Sequence, residues 1–443
     1  MESNEPIETQ PSGAEVLQEA WPVLSAEERV EGFLQLDRGD AEDFFLSLSP
    51  RGQAIVLEGV PMAERRLWMR LLAPDDAADV VQELPAERRQ DFLRLLDEPT
   101  RAEVTALLAY AEDDAGGLMS PRFARLRADM TVDEAISYLR RQAREKLETI
   151  YYVYVLDSEQ RLLGVVSFRE LFAAPGARPV REIMSDDVVS VPEDMDQEAV
   201  ARVIAQHDLM AVPVLDAEGR IQGIVTVDDI VDVVQEEATE DIQKLGGMEA
   251  LDLPYLQTGF LAMVKKRAGW LSVLFLGEML TASAMGYFQT ELAKALVLAL
   301  FVPLIISSGG NSGSQAATLV IRAMALGEAR MRDWWRVVRR EVAAGLSLGA
   351  ILAAIGLFRI VLWEKVFHTY GPHYFDVALT VALSLVGVVL WGTLSGSMLP
   401  MLIRRMGLDP AVASAPFVAT LVDVSGLVIY FSVAKLLLGG TLL

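Results

Sequence analysis

The chain has 443 residues, of which 52% are hydrophobic, yet it carries a formal net charge of −23 at pH 7. Its length allows about two to four domains, and its acidity excludes a nucleic-acid partner, because phosphate binding requires a basic face. It has no cysteine, and its three histidines form no HExxH pair, which excludes disulfides, thiol nucleophiles and the commonest zinc-hydrolase helix.

The N-terminal part is predicted to be a small helical domain. Residues 1–14 are expected to be disordered, and they lack the basic and apolar regions of a secretory signal. Residues 15–115 combine apolar spacings of three and four with prolines suited to helix N-termini. These prolines are Pro50, Pro61, Pro74, Pro85 and Pro99. The pattern predicts an acidic, superhelical stack of short helices, each burying one face on the next.

An internal repeat occupies residues 116–235. The segment Leu118–Ser120 matches Ile183–Ser185, and Gly164–Ser167 matches Gly223–Thr226. Each copy predicts an amphipathic helix, an apolar strand, a turn, a second apolar strand and a helix. The repeat resembles a tandem of CBS domains, and this resemblance implies a compact α/β unit.

The CBS resemblance also implies a candidate nucleotide site. Such pairs often bind adenine nucleotides, so ATP is a candidate ligand. Thr226 and Asp229 match positions that hold a ribose or phosphate, and Tyr152 is a candidate for stacking on the adenine, although core packing is the alternative role for this ring. Leu209 stands where some relatives place an aromatic residue, which argues against adenine stacking here.

Acidic side chains concentrate on three predicted helical segments. Asp75 and Asp79 lie on one helix, Asp229 and Asp232 end the repeat, and further acids open a connecting helix predicted over residues 236–264. Acids three or four positions apart share a helix face and repel each other. One interpretation is that these acids form ordinary solvated helix faces. The alternative follows from their position at the junction with the membrane part: a divalent cation bridges the acidic surfaces and switches the protein between two packings.

Residues 265–443 are predicted to form a membrane domain with five spans. The net charge is −29 over residues 1–260 and +6 over the remainder. Each apolar stretch has at least the roughly 20 residues that cross a bilayer. The stretches are Ala268–Phe288, Leu292–Met324, Val342–Leu362, Val377–Ile403 and Ala411–Leu438. Lys and Arg cluster before the first span and in alternate loops, so the N-terminus is expected in the cytoplasm and the C-terminus outside the cell (inner) membrane.

The second span contains helix-weakening residues. Pro303 removes a backbone donor, and Gly309, Gly310 and Gly313 lower helix stability. Broken backbone is tolerated at membrane depth where it lines a cavity, and its carbonyls, with the Asn311 and Gln315 side chains, would suit a hard cation. The alternative is a kinked helix that uses small residues for packing.

Two acids fall near the middle of spans. Asp423 lies in the fifth span, where a carboxylate costs about 2.5–3.5 kcal/mol on insertion scales and is expected to face an ion pathway. Glu278 in the first span is a proton relay, an ion-site neighbour or a hydrogen-bonded carboxyl. If two copies of Asp423 face one pore, a divalent ion gains roughly 6 kcal/mol over a monovalent ion before desolvation. A sparse oxygen site suits Mg2+ better than Ca2+.

The chain as a whole resembles the MgtE family of magnesium channels. The motifs that carry this resemblance are EDDAGGLMSP, EEATEDIQKLG, PLIISSGGNSGSQAATLVIRA and ATLVDVSGLVIY. The resemblance implies a homodimer whose pore is formed mainly by the second and fifth spans. It implies that Asp423 binds hydrated Mg2+, assisted by backbone oxygens near Ala419 and the Gly310–Asn311 turn, and that a plug helix runs from about Glu236 to Gln257.

The family also senses cytosolic Mg2+ through acidic interfaces, and bound Mg2+ closes the pore. By position, the implied sensors are Asp43, Asp75, Asp79, Glu198, Asp208, Asp229, Asp232, Glu237, Glu240 and Asp241. We therefore expect a multi-domain, α-rich membrane protein that acts as a Mg2+-selective, Mg2+-gated channel, with Mg2+ as both substrate and regulatory ligand. The alternatives are a broader Co2+, Mn2+ or Ni2+ carrier coupled to protons through Glu278, and a CBS-regulated membrane enzyme, against which the absence of a catalytic motif argues.

Overall fold

A computed structural model of the chain describes residues 12–143, 147–251 and 253–439. The chain divides into two compact units, Met1–Glu237 and Ala238–Leu443. Most of the segment predicted to be disordered, residues 1–11, lies outside the described residues. The first helix begins at Gly13, two residues before the predicted start of the helical domain.

The N-terminal helices form the predicted stack. They are α1 Gly13–Ala20, α2 Ala26–Leu34, α3 Arg38–Ser47, α4 Pro50–Gly59, α5 Met62–Met69, α6 Pro74–Glu83, α7 Ala86–Leu93 and α8 Glu98–Leu107. Proline occupies the first turn of α4, α6 and α8, where no backbone donor is needed. Helix α4 packs on α2 and on α6, which in turn packs on α8. Phe33, Phe45 and Trp68 form an aromatic centre, with ring centroids 5.0–6.3 Å apart.

The repeat folds as two copies of one α/β pattern. Its elements are α9 Ala115–Leu118, β1 Arg125–Arg127, α10 Val132–Gln142, β2 Tyr152–Leu156, β3 Leu162–Ser167, α11 Phe168–Ala173, β4 Val191–Pro192, α12 Gln197–His207, β5 Ala211–Leu215, β6 Ile221–Thr226 and α13 Val227–Leu245. In each copy the first strand runs parallel to the second, which pairs antiparallel with the third. The predicted repeat is therefore confirmed.

Each copy also pairs with the segment that opens the other. Ser120 exchanges two backbone hydrogen bonds with Ile224, at 2.8 and 2.9 Å, and Ser185 exchanges two with Val165, both at 2.9 Å. The matched glycines permit this approach, because a Cβ on Gly164 would lie 2.6 Å from the Ser185 oxygen. The repeated Gly is therefore a requirement of close backbone packing.

The connecting helix differs from its prediction. It is the continuation of α13, which begins at Val227 and ends at Leu245 rather than running over residues 236–264 or to Gln257. Gly247 has a φ of +72°, a left-handed conformation that ends helices, and a Cβ there would lie 2.9 Å from the Trp270 ring. The boundary between the two compact units falls within α13.

The second unit contains five helices long and apolar enough to cross a membrane, among the residues described. Its elements are α14 Phe260–Tyr287, α15 Gln289–Lys294, a 3-10 helix Leu296–Phe301, α16 Val302–Ala325, α17 Trp334–Phe367, α18 Tyr374–Arg405 and α19 Ala415–Leu438. Helices α16, α18 and α19 pack on one another, α17 packs on α18, and α14 packs on α19. The five predicted spans are confirmed.

The expected break in the second span is absent, because α16 is continuous from Val302 to Ala325. Pro303 lies in the first turn, where a missing donor costs nothing. Gly309 and Gly313 are buried against α18, and a Cβ on Gly392 or Gly396 would overlap their carbonyl oxygens. The prediction of freed carbonyls at a Gly310–Asn311 turn was therefore wrong, because the helix is continuous there. Gly309 and Gly313 instead serve close helix packing.

Candidate functional site

Asp423 lies where α16 and α19 cross. A Cβ built on Gly310 would be 3.4 Å from Asp423 Oδ1 and 3.4 Å from the Ala419 Cβ. The glycine therefore leaves room for the carboxylate beside the α16 backbone. The Asp423 side chain has no hydrogen bond or ion pair with any residue of the described ranges, and it is half-buried.

A polar stripe runs along the outer face of α16. Ser307, Asn311, Gln315 and Thr318 recur at helical spacing, and all four are exposed. Asn311 Nδ2 donates to Ser307 Oγ at 3.3 Å, and Thr318 donates to a backbone carbonyl of its own helix. Exposed amides on a membrane helix require either water or another protein surface. Of the pathway residues predicted in α16, Asn311 and Gln315 belong to this stripe, whereas Gly309 and Gly313 pack inward.

Glu278 joins the same region from α14. A Cβ on its neighbour Gly277 would be 2.9 Å from Thr420 Cγ2, so α14 reaches α19 one turn before Asp423. The carboxylates of Glu278 and Asp423 interact electrostatically. Neither has a basic partner among the residues that the structure covers. Arg359 contacts Tyr370 and the Trp363 ring, and Lys435 pairs with Glu291 at 3.7 Å.

A second acidic site lies in the first unit, between α6 and the start of α13. Burial, with the charges of Glu148, Asp76 and Asp229, raises the pKa of Asp75 to about 8. Burial, with the charges of Asp76 and Asp229, likewise raises the pKa of Asp79 to about 7. Desolvation raises the pKa of Asp229 to about 7, although a 2.6 Å hydrogen bond from Thr226 opposes the shift.

Asp75 is the most strongly perturbed of these acids. Its side chain is 8% exposed, and its Oδ1 atom is buried without a hydrogen-bond partner among the described residues. We name the group of Asp75, Asp76, Asp79, Glu148, Asp228 and Asp229 the acidic cluster. Its members come from three segments that are far apart in the sequence, so residue spacing could not predict that Glu148 belongs to the cluster.

The other predicted sensors are not members of the acidic cluster. Asp43 is exposed on α3, Glu198 is 3.7 Å from Arg202, and Asp208 caps α12 with a φ of 51°. Asp232 interacts with Glu236, which also interacts with Glu112, and neither Glu236 nor Glu112 was among the predicted sensors.

The acids of the connecting helix have partners of their own. Glu237 accepts from Gln197 at 2.7 Å, Glu240 lies 2.5 Å from Lys244, and Asp241 follows it on α13. Lys244 also lies 2.7 Å from Asp409. Within the described part of the chain, no three Asp, Glu or His side chains are arranged to hold one metal ion directly.

The candidate nucleotide residues occupy structural positions. Thr226 is buried, and its hydroxyl donates to Asp229 as the cap of α13. Ser167 donates to Glu170 at 2.7 Å in the equivalent cap of the first copy. Tyr152 is half-buried and packs between the two sheets. The acids around Asp229 disfavour a phosphate beside Thr226.

Comparisons with known proteins cover nearly the whole chain. Residues 302–433 match the family MgtE, described as divalent cation transporter. Residues 14–113 match the MgtE intracellular N domain, and residues 115–176 and 180–236 match CBS domains.

Individual relatives extend over both units. The magnesium transporter MgtE of Thermus thermophilus is 45% identical over 421 residues, which is 94% of this chain and 91% of that protein. The magnesium transporter MgtE of Enterococcus faecalis is 36% identical, over 75% of this chain and 71% of that protein. A crystal structure of the cytosolic domain of the Mg2+ channel MgtE in complex with ATP is 44% identical, covers 51% of this chain and 91% of that chain, and has a TM-score of 0.46.

Proposed function

Because the chain belongs to the MgtE family of magnesium transporters, we propose that it is a Mg2+-selective channel that cytosolic Mg2+ closes. The observation that carries the proposal is the Asp423 carboxylate beside Gly310 and Ala419, which has no partner in the described part of the chain and lies at the crossing of two membrane helices. A carboxylate without a partner at this depth is stable where it meets water or a cation.

The ion pathway in this proposal follows the polar face of α16. Asn311 and Gln315 offer amide oxygens to a hydrated ion, and Glu278 adds negative charge from α14. A second copy of the chain covers the exposed stripe and brings a second Asp423 to the same path. Mg2+ retains several waters and binds through one or two carboxylates, which suits this sparse set of oxygens.

The first unit acts as the cytosolic sensor. Asp75, Asp79 and Asp229 form its centre, and hydrated Mg2+ between α6 and α13 relieves their repulsion. The remaining sensors are the acids that extend away from this centre, namely Asp43, Glu198, Asp208, Asp232, Glu237, Glu240 and Asp241. Basic residues in alternate loops favour a cytoplasmic position for this unit and a C-terminus on the outer side of the membrane.

The test is Mg2+ flux through the full chain in liposomes, with Mg2+ varied on the cytoplasmic face. Wild type conducts at low internal Mg2+ and closes in the millimolar range. Asp423→Asn carries little Mg2+, whereas Asp376→Asn, which changes an acid at the start of α18, conducts normally. Full Mg2+ flux through Asp423→Asn would overturn the pathway, and flux that ignores internal Mg2+ would overturn the sensor.

A proton-coupled divalent carrier is the second candidate, because Glu278 interacts with Asp423. A carrier requires an inward proton flux that saturates with the metal and disappears in Glu278→Gln. A channel requires a current that follows the electrochemical gradient of Mg2+ without proton movement. Simultaneous records of pH and Mg2+ inside liposomes separate the two.

A further inference from the structure

Glu148 is fixed at the edge of the acidic cluster by its own segment of the first CBS copy. It lies between α10 and β2, its backbone N–H donates to the Arg122 carbonyl at 2.9 Å, and its Oε2 accepts from Ser120 at 3.3 Å. Ser120 in turn pairs with Ile224 of the second copy. The carboxylate is therefore held by backbone that ties the two copies together.

The field at Glu148 is strongly negative. Its carboxylate interacts with Asp76 and Asp228, and it is a principal source of repulsion on Asp75 and Asp229. Arg122 offsets part of this charge, and its guanidinium also donates to Glu103 at 2.8 Å and to Thr100 at 2.9 Å. Because Arg122 is shared with Glu103, it offsets the charge of Glu148 only in part.

The cluster has a feature that points to a ligand. Asp75 presents a buried oxygen that accepts no hydrogen bond from the described residues, although it is surrounded by other acids. Such an atom is costly unless a donor or a cation reaches it. Among the residues that the structure describes, no three acids lie close enough to bind a bare ion, so the ligand that fits this cluster is a cation that keeps its water shell.

We propose that Glu148 is a Mg2+-sensing residue, which with Asp75 and Asp229 holds a hydrated divalent cation that clamps α6, the start of α13 and the segment before β2. The inference rests on the proposed function and adds the first CBS copy to the sensor. The cation thereby joins three segments of the first unit rather than two helices.

The variant Glu148→Gln tests this role, because it removes the charge and keeps an oxygen for Ser120. With one fewer carboxylate around the ion, the internal Mg2+ concentration that half-closes the channel rises about five- to tenfold. Maximal flux at low internal Mg2+ stays at the wild-type level. Glu148→Asp retains part of the response, and Glu159→Gln, an exposed acid of the same copy, responds as wild type.

Mg2+-free stability separates a sensing role from a structural one. Removing the repulsion at Glu148 raises the melting temperature of the full chain without Mg2+ and shrinks the further rise that Mg2+ produces. A lowered Mg2+-free melting temperature would make Glu148 structural and would overturn the inference. An unchanged closing concentration in Glu148→Gln, with normal closure of wild type, would also overturn it. If wild type itself does not close, the proposed function fails first, and the inference falls with it.

Discussion

The sharpest consequence of the acidic cluster concerns Asp75→Asn. In the folded chain the pKa of Asp75 is about 8, whereas an unfolded Asp titrates near 3.9. Between these values the folded chain binds more protons than the unfolded chain. Its stability is therefore fully present below the unfolded pKa and is lost as pH rises through the folded one.

The size of this effect follows from the width of the window. For a single group with these two pKa values, the free energy of unfolding falls by about 3.6 kcal/mol as the pH rises from 5 to 8. Because the other acids titrate together with Asp75 and water enters as they ionise, we expect a loss of about 2–4 kcal/mol in wild type without Mg2+. Asp75→Asn should show a clearly smaller loss of stability, and Asp40→Asn, which changes an exposed acid outside the proposed sensor, should behave as wild type.

The assay is denaturant or thermal unfolding of the full chain in detergent, with a chelator, at a series of pH values. Millimolar Mg2+ should restore most of the stability that wild type loses at pH 8, and should restore less in Asp75→Asn. If wild type and Asp75→Asn lose stability in parallel across the whole pH range, Asp75 does not carry a buried charge and the reasoning is wrong.

Two further predictions concern the second unit. Gly396→Ala should lower its stability by about 3 kcal/mol or more, because a methyl group would overlap the Gly313 carbonyl, and thermal aggregation in detergent measures this. Gly286→Ala, which has open space around it, is the control, and equal stability of both variants would contradict the packing. Partial burial lowers the pKa of Lys244, but its hydrogen bonds to Asp409 and Glu240 outweigh this and leave the pKa raised. Lys244→Met should therefore lower the free energy of unfolding by about 1–3 kcal/mol, and adding Asp409→Asn should recover part of that loss. If the effects of the two substitutions simply add in the double variant, the ion pair contributes nothing to stability.

The large-scale organisation was predictable because it depends on local periodicity. Span length, loop charge and the recurring Gly164 and Gly223 motifs each act over short stretches, and the structure confirms the five spans and the CBS pair. The end of α13 and the continuity of α16 were predicted wrongly, because both depend on partners far along the chain. Gly309 is compatible with a helix break or with a close helix contact, and the structure forms the contact because Gly392 lies opposite it on α18.

The site was predictable in part for the same reason. Asp75 and Asp79 stand out by their spacing on one helix, and Asp423 stands out by its depth in an apolar span. Glu148 and Glu112 carry no such signal, since only the folded chain brings them to acids that lie far away in sequence. Burial of Asp75, which sets its pKa, is likewise a property of the packed unit.

The exchanged backbone pairing makes each CBS copy dependent on the other. Ser120 pairs with the second copy and Ser185 pairs with the first, so each copy has an edge that the other copy's segment covers. A single copy on its own would need a second chain to supply this pairing. Because both copies lie in one chain, the pairing partner is instead present at a high effective concentration. Cutting the chain between the copies should accordingly release two halves that must find each other before either is complete.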